Sequence, residues 1–210
     1  MFALVENQQI TKFYSGNKGV TLGDVQYPKS IFTLWSEAER NAIGIFEVTV
    51  DTTNKKDEQW YINTNVSYGV ESNKAVGSYG AATAKAIDDT LWTQEDSDNG
   101  LLPSDKSVGD VKVEGLKTIK KRIVKQQAAG ILQDTDWYIT RKADAGTAVP
   151  SAITNHRAAV RTKAAEQETA ITNAADTPAL ETLYTYVNTA DEGDPEVYER
   201  PLGELPTLES

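Results

Sequence analysis

The sequence predicts an α+β protein: a small, mostly antiparallel β domain, a helical segment of two or three helices, and an extended C-terminal arm. Three observations predict this class. Short alternating apolar stretches occupy residues 1–93, helical periodicity dominates residues 110–188, and residues 189–210 are acidic and rich in proline. Residues 94–109, rich in Ser, Asp, Gly and Pro, are predicted to be the linker between the two domains.

The β domain opens with the pattern of a hairpin. Residues 2–6 and 10–14 are rich in apolar side chains and flank Asn7-Gln8-Gln9, which predicts two strands and a tight turn. Residues 45–50 alternate apolar and polar side chains, as a half-buried strand does.

Two helix starts are marked by capping residues. Ser36 followed by Glu39 is the pattern of a capping box, and Gly44 marks the end of the short helix that it begins. Near the end of the helical segment, Thr177 followed by Pro178 predicts a further start, with Thr177 as the cap and Pro178 at the first helical position.

Residues 116–171 carry the strongest helical signal. A first helix has one apolar face and one basic face, residues 134–137 interrupt it, and a second helix begins after Pro150. We therefore expect two helices joined by a fixed aromatic corner, with the Trp137 region in the core. The apolar face comprises Leu116, Ile119, Ile123, Val124, Ile131 and Leu132, and the basic face Lys117, Lys120, Lys121, Arg122 and Lys125.

Composition excludes several classes of function. The formal net charge of -10 argues against general binding to nucleic acid or to an anionic membrane, since both need a basic surface. The basic helix face is then a solvated surface or a docking face for an acidic protein. No stretch is apolar enough for a membrane span, no secretory signal is visible, and there is no cysteine for a disulfide or thiolate site.

No catalytic, metal or cofactor site is predicted. His156 is the sole histidine, so a metal site or a Ser-His-Asp triad would lack partners. Glu95 to Gly100 superficially matches a calcium loop, but Lys106 stands where the bidentate glutamate is required. We therefore expect a protein that is not an enzyme.

Three blocks, taken in order, resemble a known family. They are FALVENQQITKFY, DVQYPKSIFTLWSEAERNAIGIFEVTV, and QQAAGILQDTDWYITRKADAGTAVPSAITNHRAAVRT. The chain resembles small bacteriophage proteins of marine phages, related to tail fibre assembly proteins and other tail-associated accessory proteins. The resemblance covers about three-quarters of the chain, fails over roughly residues 51–112, and is most specific in DTDWYITRKADAGTAVP.

The resemblance implies a non-enzymatic role in tail or tail-fibre assembly, as a chaperone or as a structural accessory retained in the virion. The implied partner is a phage tail or tail-fibre protein, with a homo-oligomer as a second option. The implied location is the host cytoplasm during assembly, and the virion tail if the protein is retained. The partner surface is expected on the matching C-terminal block, at Trp137, Tyr138, Arg141, Arg157 and Arg161. Arg157 and Arg161 are one helical turn apart and are expected to form an exposed cationic ridge.

Two other functions remain open from the residues. One is a host-directed phage protein that binds a cytosolic target, which the acidic charge would suit. The other is a glycan-binding or glycan-processing tail component, in which Trp60, Tyr61, Tyr68 and Trp92 would line a sugar site beside Asp57 or Glu58.

Overall fold

The computed structural model describes residues 1–208 and has the predicted α+β architecture. The chain divides into two compact units, Met1–Thr83 and Ala84–Ser210. The first unit ends before residue 93 because the following segment pairs with the helical part. The backbone N–H groups of Leu116 and Lys117 donate to the carbonyls of Ala86 and Ile87 at 3.0 and 2.9 Å.

The elements of the first unit are short. Its strands and helices are β1 (Phe2–Glu6), β2 (Gln9–Tyr14), β3 (Val20–Leu22), β4 (Val25–Tyr27), a 3-10 turn (Lys29–Phe32), α1 (Glu37–Ala42), β5 (Ile45–Asp51), β6 (Tyr61–Ile62), β7 (Ser67–Glu71) and β8 (Lys74–Ser78), with β9 (Thr83–Ala84) at the boundary.

The second unit is mainly helical. Its elements are β10 (Thr90–Leu91), α2 (Gln94–Asp98), β11 (Val111–Val113), α3 (Leu116–Gln133), α4 (Asp136–Ala145), α5 (Ser151–Asn173), α6 (Thr177–Tyr184), β12 (Val187–Asn188) and β13 (Tyr198–Glu199).

The first unit is built on one five-stranded sheet of order β2-β1-β5-β8-β7. Its pairings are antiparallel except β5 with β8, which run parallel. The predicted hairpin is confirmed, with Asn7 and Gln8 at φ 51 and 63. The two edge strands curl toward each other, since the rings of Phe13 on β2 and Tyr68 on β7 lie 4.9 Å apart.

The core of the first unit is formed by β3, the 3-10 turn and β5, and the predicted short helix α1 directly precedes β5. The capping box is present, because Ser36 N donates to Glu39 Oε2 at 2.7 Å and Glu39 N donates to Ser36 Oγ at 3.3 Å. The Ser36 hydroxyl and the Ser36 backbone N–H both donate to the Glu39 carboxylate at 2.7 Å and hold the pKa of Glu39 below its ordinary value. The buried side chains at the centre are Val20, Ile31, Phe32 and Ile45.

In the second unit α3 packs along α5 with a buried row that only partly matches the apolar face that periodicity predicts. The buried residues of α3 are Leu116, Lys120, Val124 and Ala128, whereas Ile123 is 36% exposed. Lys120 can occupy this buried row because its ammonium lies 4.7 Å from the centre of the Tyr184 ring, where a cation is stabilised.

The stretch expected to be a linker contains a helix. Thr93 and Asp96 form a capping box that starts α2, and the Lys112 ammonium lies 2.6 Å from Asp96 Oδ1. The bond from Lys112 and the N–H of Thr93 hold the pKa of Asp96 below its ordinary value. Asp96 is thus engaged within the fold rather than placed in a calcium loop.

The cap of α6 lies one residue earlier than predicted. Asp176 is the N-cap and its Oδ1 accepts from Ala179 N at 2.8 Å. Thr177 is buried, and its hydroxyl donates to the Lys85 carbonyl at 2.8 Å. An aspartate carboxylate is as good an N-cap as a threonine hydroxyl. Because Asp176 caps the helix, the Thr177 hydroxyl can instead bond to the segment that precedes α3.

Candidate protein-binding site

The buried seam of α5 organises the second unit. Its buried residues follow a spacing of four, three, four, three and four: Ile153, Arg157, Val160, Ala164, Gln167 and Ile171. This spacing keeps one narrow face of the helix against its neighbours. Two members of this row, Arg157 and Gln167, are polar. Each can be buried because it donates to a backbone carbonyl of a neighbouring segment.

Arg157 fixes the turn between α3 and α4. Its guanidinium Nη1 donates to the Leu132 carbonyl at 2.7 Å and to Thr135 Oγ1 at 2.6 Å, and its Nη2 lies 2.8 Å from Asp136 Oδ1. The carbonyl of Leu132 belongs to the last turn of α3, where a cation is favoured by the helix dipole. One side chain therefore links the end of α3, the start of α4 and the middle of α5.

This finding corrects the expected role of Arg157. The side chain was expected on an exposed cationic ridge, but the residue is 7% exposed and its charge is used inside the fold. Arg161 is exposed, as expected, and its Nη1 donates to the Arg157 carbonyl at 3.4 Å. The two arginines are one turn apart, yet only Arg161 presents its charge to solvent.

The expected aromatic corner is itself a helix. Residues 136–145 form α4, which ends at Gly146 with φ 69 and a bond from Gly146 N to the Lys142 carbonyl. The rings of Trp137 and Tyr138 stack with centres 3.7 Å apart. Trp137 is 51% exposed and Ile139 44% exposed, so the expectation that this cluster lies in the core is wrong. The start of α4 is held in place by the bond between Arg157 and buried Thr135, and not by burial of the aromatic rings.

We define the aromatic corner as Trp137, Tyr138 and Arg141. Trp137 and Arg141 are one turn apart on α4 and therefore share a face, and Arg141 is exposed. Thr135 and Asp136 complete the support of this corner, and no sequence pattern directly marks these two residues as part of a site. Their signal was indirect: an arginine within the apolar 4-3 spacing of α5 needs acceptors from a neighbouring segment.

A second feature is the groove that holds the C-terminal arm. The arm predicted to be extended, residues 189–210, folds back, because its strand β13 pairs with β12 in the stretch predicted to be helical. The turn after β13 lies against α5 and α6. Leu202 is 3% exposed and its N–H donates to the Leu183 carbonyl at 3.0 Å. Gln167, 2% exposed, donates to the Gly203 carbonyl at 2.9 Å. Glu209 and Ser210, the end of the predicted arm, lie outside the described residues.

Aromatic rings and ion pairs surround this turn. Arg200 lies 5.6 Å from the ring centre of Tyr184 and 5.7 Å from that of Tyr186, and its Nη2 lies 2.7 Å from Glu204 Oε2. Burial raises the pKa of the Tyr184 hydroxyl to about 12. Tyr186 donates to Glu204 Oε1 at 2.5 Å, and this bond raises the pKa of the Tyr186 hydroxyl.

Three of the five cations on the basic face of α3 pair with neighbouring carboxylates. Lys117 pairs with Asp88 at 3.1 Å, Arg122 with Glu114 at 2.6 Å, and Lys125 with Glu168 at 3.4 Å. A surface that binds nucleic acid needs uncompensated cations. These pairs therefore favour a structural role for the basic residues of α3.

No family model, no curated protein and no solved structure matches this chain. Within residues 1–208 no helix is long and apolar enough to cross a lipid bilayer, and no three His, Asp or Glu side chains are grouped to hold a metal ion.

The residues suggested for a sugar site do not form an open aromatic surface. Trp60 and Tyr61 are 3% and 5% exposed, so their faces cannot stack on a glycan. Tyr68 packs edge-on against Phe13, and Trp92 belongs to the second unit, where the Lys112 ammonium lies 4.6 Å from its ring centre.

Proposed function

We propose that this protein is a non-enzymatic bacteriophage tail protein. It acts in tail or tail-fibre assembly, in the host cytoplasm, either as a chaperone that departs or as an accessory that stays in the virion tail. The aromatic corner is the surface that contacts the phage tail or tail-fibre protein. The resemblance of DTDWYITRKADAGTAVP to tail-associated proteins supports this function, since the corner is made by that same segment.

The observation that carries the proposal is an exposed tryptophan on a fixed support. Large aromatic side chains are usually buried, and those left exposed on rigid elements are enriched in protein interfaces. Trp137 is half exposed, and its ring packs against that of Tyr138. The start of the helix that carries it is fixed by the bonds of Arg157 to Leu132 and Thr135. A partner would bury the ring without first having to order the helix that carries it.

Mass spectrometry of purified virions and of infected-cell lysate tests the assembly role. Presence at a fixed ratio to a known tail protein identifies a retained accessory. Presence in lysate together with a tail or fibre protein, and absence from virions, identifies a departing chaperone. If cross-linking in lysate and virions finds it with no tail protein, the proposal is wrong.

A pair of substitutions tests the surface. Trp137→Ala should weaken capture of the tail partner at least about 10-fold, because an interface tryptophan commonly contributes more than 1.4 kcal/mol. Leu101→Ala is the matched control, since Leu101 is an exposed apolar residue of the same unit, at 60%. Equal capture by both variants would show that the contact surface lies elsewhere.

A further inference from the structure

We propose that the groove holding the C-terminal arm is a peptide-binding site for the turn Arg-Pro-Leu-Gly-Glu, residues 200–204, and that a second copy of the chain fills it with its own arm when the resident arm is withdrawn. The groove is defined by Lys163, Gln167, Leu183 and Tyr184. This inference is independent of the tail function and concerns how copies of the chain join.

Gln167 indicates that the groove recognises a peptide backbone. It lies in the apolar seam of α5, is 2% exposed, and donates its side-chain amide to the Gly203 carbonyl at 2.9 Å. A buried amide that loses its partner costs free energy, so an apolar side chain would suit a helix that only packs against helices. The hydrogen bond to the Gly203 carbonyl of the arm therefore explains why a glutamine occupies this buried position.

The arm presents a compact unit that forms its own internal contacts. Pro201 fixes one backbone torsion, Gly203 N donates to the Arg200 carbonyl at 2.8 Å, and Arg200 pairs with Glu204 at 2.7 Å. Gly203 has φ 70, a conformation that glycine adopts without strain. Leu202 projects from this turn as the buried anchor, at 3% exposure. Such a unit can move between chains because its shape does not depend on the rest of the arm.

The seated arm leaves two pockets beside it. A pocket of 450 Å³ lies between α3 and the arm, lined by residues that include Gln127, Ile131 and Leu205. A second pocket, of 350 Å³, is lined by residues that include Lys163 and Tyr198. Leu202 is the one buried apolar side chain in the described part of the arm, and it therefore anchors the arm in the groove.

The connection to the arm is long enough for exchange. Residues 189–197 join β12 to β13, and the acidic residues within them are exposed. If the hairpin opens, residues 185–199 span about 50 Å. The arm of a second copy has the same sequence and makes the same contacts, which is the condition for exchange of an identical segment between chains.

A labelled peptide of residues 197–208 tests the site on the full-length chain. Leu202→Asp should withdraw the resident arm, because a carboxylate replaces the buried anchor, and should leave the groove open. We expect the peptide to bind this variant, measured by fluorescence anisotropy, and to bind the unaltered chain at least about 10-fold more weakly, because the unaltered chain's own arm competes.

Two peptides supply the specificity control. A peptide with Leu202→Asp should bind about 30-fold more weakly, since it lacks the buried leucine. A peptide with Leu208→Asp should bind as the parent does, because Leu208 is 46% exposed. Equal binding of both altered peptides, or no binding of the parent peptide to a folded Leu202→Asp chain, would overturn the proposal.

A nicked full-length chain serves if Leu202→Asp does not fold. A protease site placed between Gly193 and Asp194 lets the arm be cut while every residue remains present. The nicked chain should exchange its arm for the labelled peptide, and sedimentation of uncut chain carrying a shortened 189–197 connection should give a dimer. A folded nicked chain that never takes up the peptide contradicts the site.

Discussion

Arg157 shows how a single buried charge can define a surface that it does not itself form. Its guanidinium satisfies the last turn of α3, the hydroxyl of Thr135 and the carboxylate of Asp136. We expect Arg157→Met to lower the free energy of unfolding by about 2–4 kcal/mol, because buried acceptors lose charge-assisted bonds. Chemical denaturation measures this loss.

Arg161 is the matched comparison for Arg157. It is exposed one turn further along α5, so Arg161→Met should change stability by less than about 0.5 kcal/mol. Charge reversal at Arg161 and Arg141 tests partner capture while the protein stays folded. Charge reversal at buried Arg157 would destabilise the fold, so it cannot test the partner surface. Similar unfolding curves for the two methionine variants would refute the structural role of Arg157.

Tyr184 makes stability sensitive to alkaline pH. Burial raises its pKa from 10.0 to about 12, so between these values the folded chain holds a proton that the unfolded chain has released. The stabilisation is complete below pH 10 and is lost as the pH rises toward 12. We expect the unfolding free energy to fall over this range, and to fall less in Tyr184→Phe.

The absorbance of tyrosinate provides the second measurement on Tyr184. The late part of the alkaline titration of the native protein should be smaller in Tyr184→Phe than in the parent, and Tyr186, whose pKa is also raised, accounts for what remains. If the late part is as large in the variant and its stability falls as steeply as that of the parent, Tyr184 is not the group responsible.

The same substitution should have opposite effects at Gly115, the N-cap of α3, and at Gly130, which lies inside α3. A Cβ on Gly115 would lie 2.3 Å from the backbone carbonyl carbon of Asp88, so Gly115→Ala should cost at least about 2 kcal/mol of stability. Gly130 lies inside α3 with no atom within 4 Å of such a Cβ. Gly130→Ala should therefore stabilise by about 0.5–1 kcal/mol. Thermal unfolding of both variants measures the contrast, and destabilisation by both would contradict it.

Helices and turns specified by local contacts were predictable from the sequence. The Ser36–Glu39 capping box and the Asn7-Gln8 hairpin involve neighbours within a few residues, and both are present. Features that depend on distant partners were not predictable. The sequence predicts an irregular corner where α4 stands. The support of α4 comes from Arg157, which lies 22 residues from Thr135 in sequence and on another helix.

The same distinction explains the candidate sites. The resemblance predicts a contact surface at Trp137 and Arg141, and both residues are exposed. The exposure of Trp137 could not be predicted from its residue type, because tryptophan is usually buried. The arm was predicted to be extended because it is acidic and proline-rich. Its seating depends on Leu202 and on a glutamine in the seam of α5, whose meeting is a property of the tertiary fold.

Two properties of the whole chain predict that it does not bind nucleic acid: its negative net charge and the pairing of its cations. The net charge is -10, and three cations of α3, Lys117, Arg122 and Lys125, are paired with Asp88, Glu114 and Glu168. Association with a polyanion would require breaking these pairs as well as overcoming the overall repulsion. We expect no binding to single-stranded or double-stranded oligonucleotides at physiological salt, measured by fluorescence anisotropy.

The variant Glu114→Gln/Glu168→Gln separates the two causes. It removes two negative charges, which changes the formal net charge from -10 to -8, and it frees Arg122 and Lys125. If overall repulsion dominates, this variant also fails to bind; if pairing dominates, it gains weak binding that disappears as salt is added. Saturable, salt-sensitive binding by the unaltered chain would contradict both causes and would make the basic face of α3, rather than the aromatic corner, the first surface to test for function.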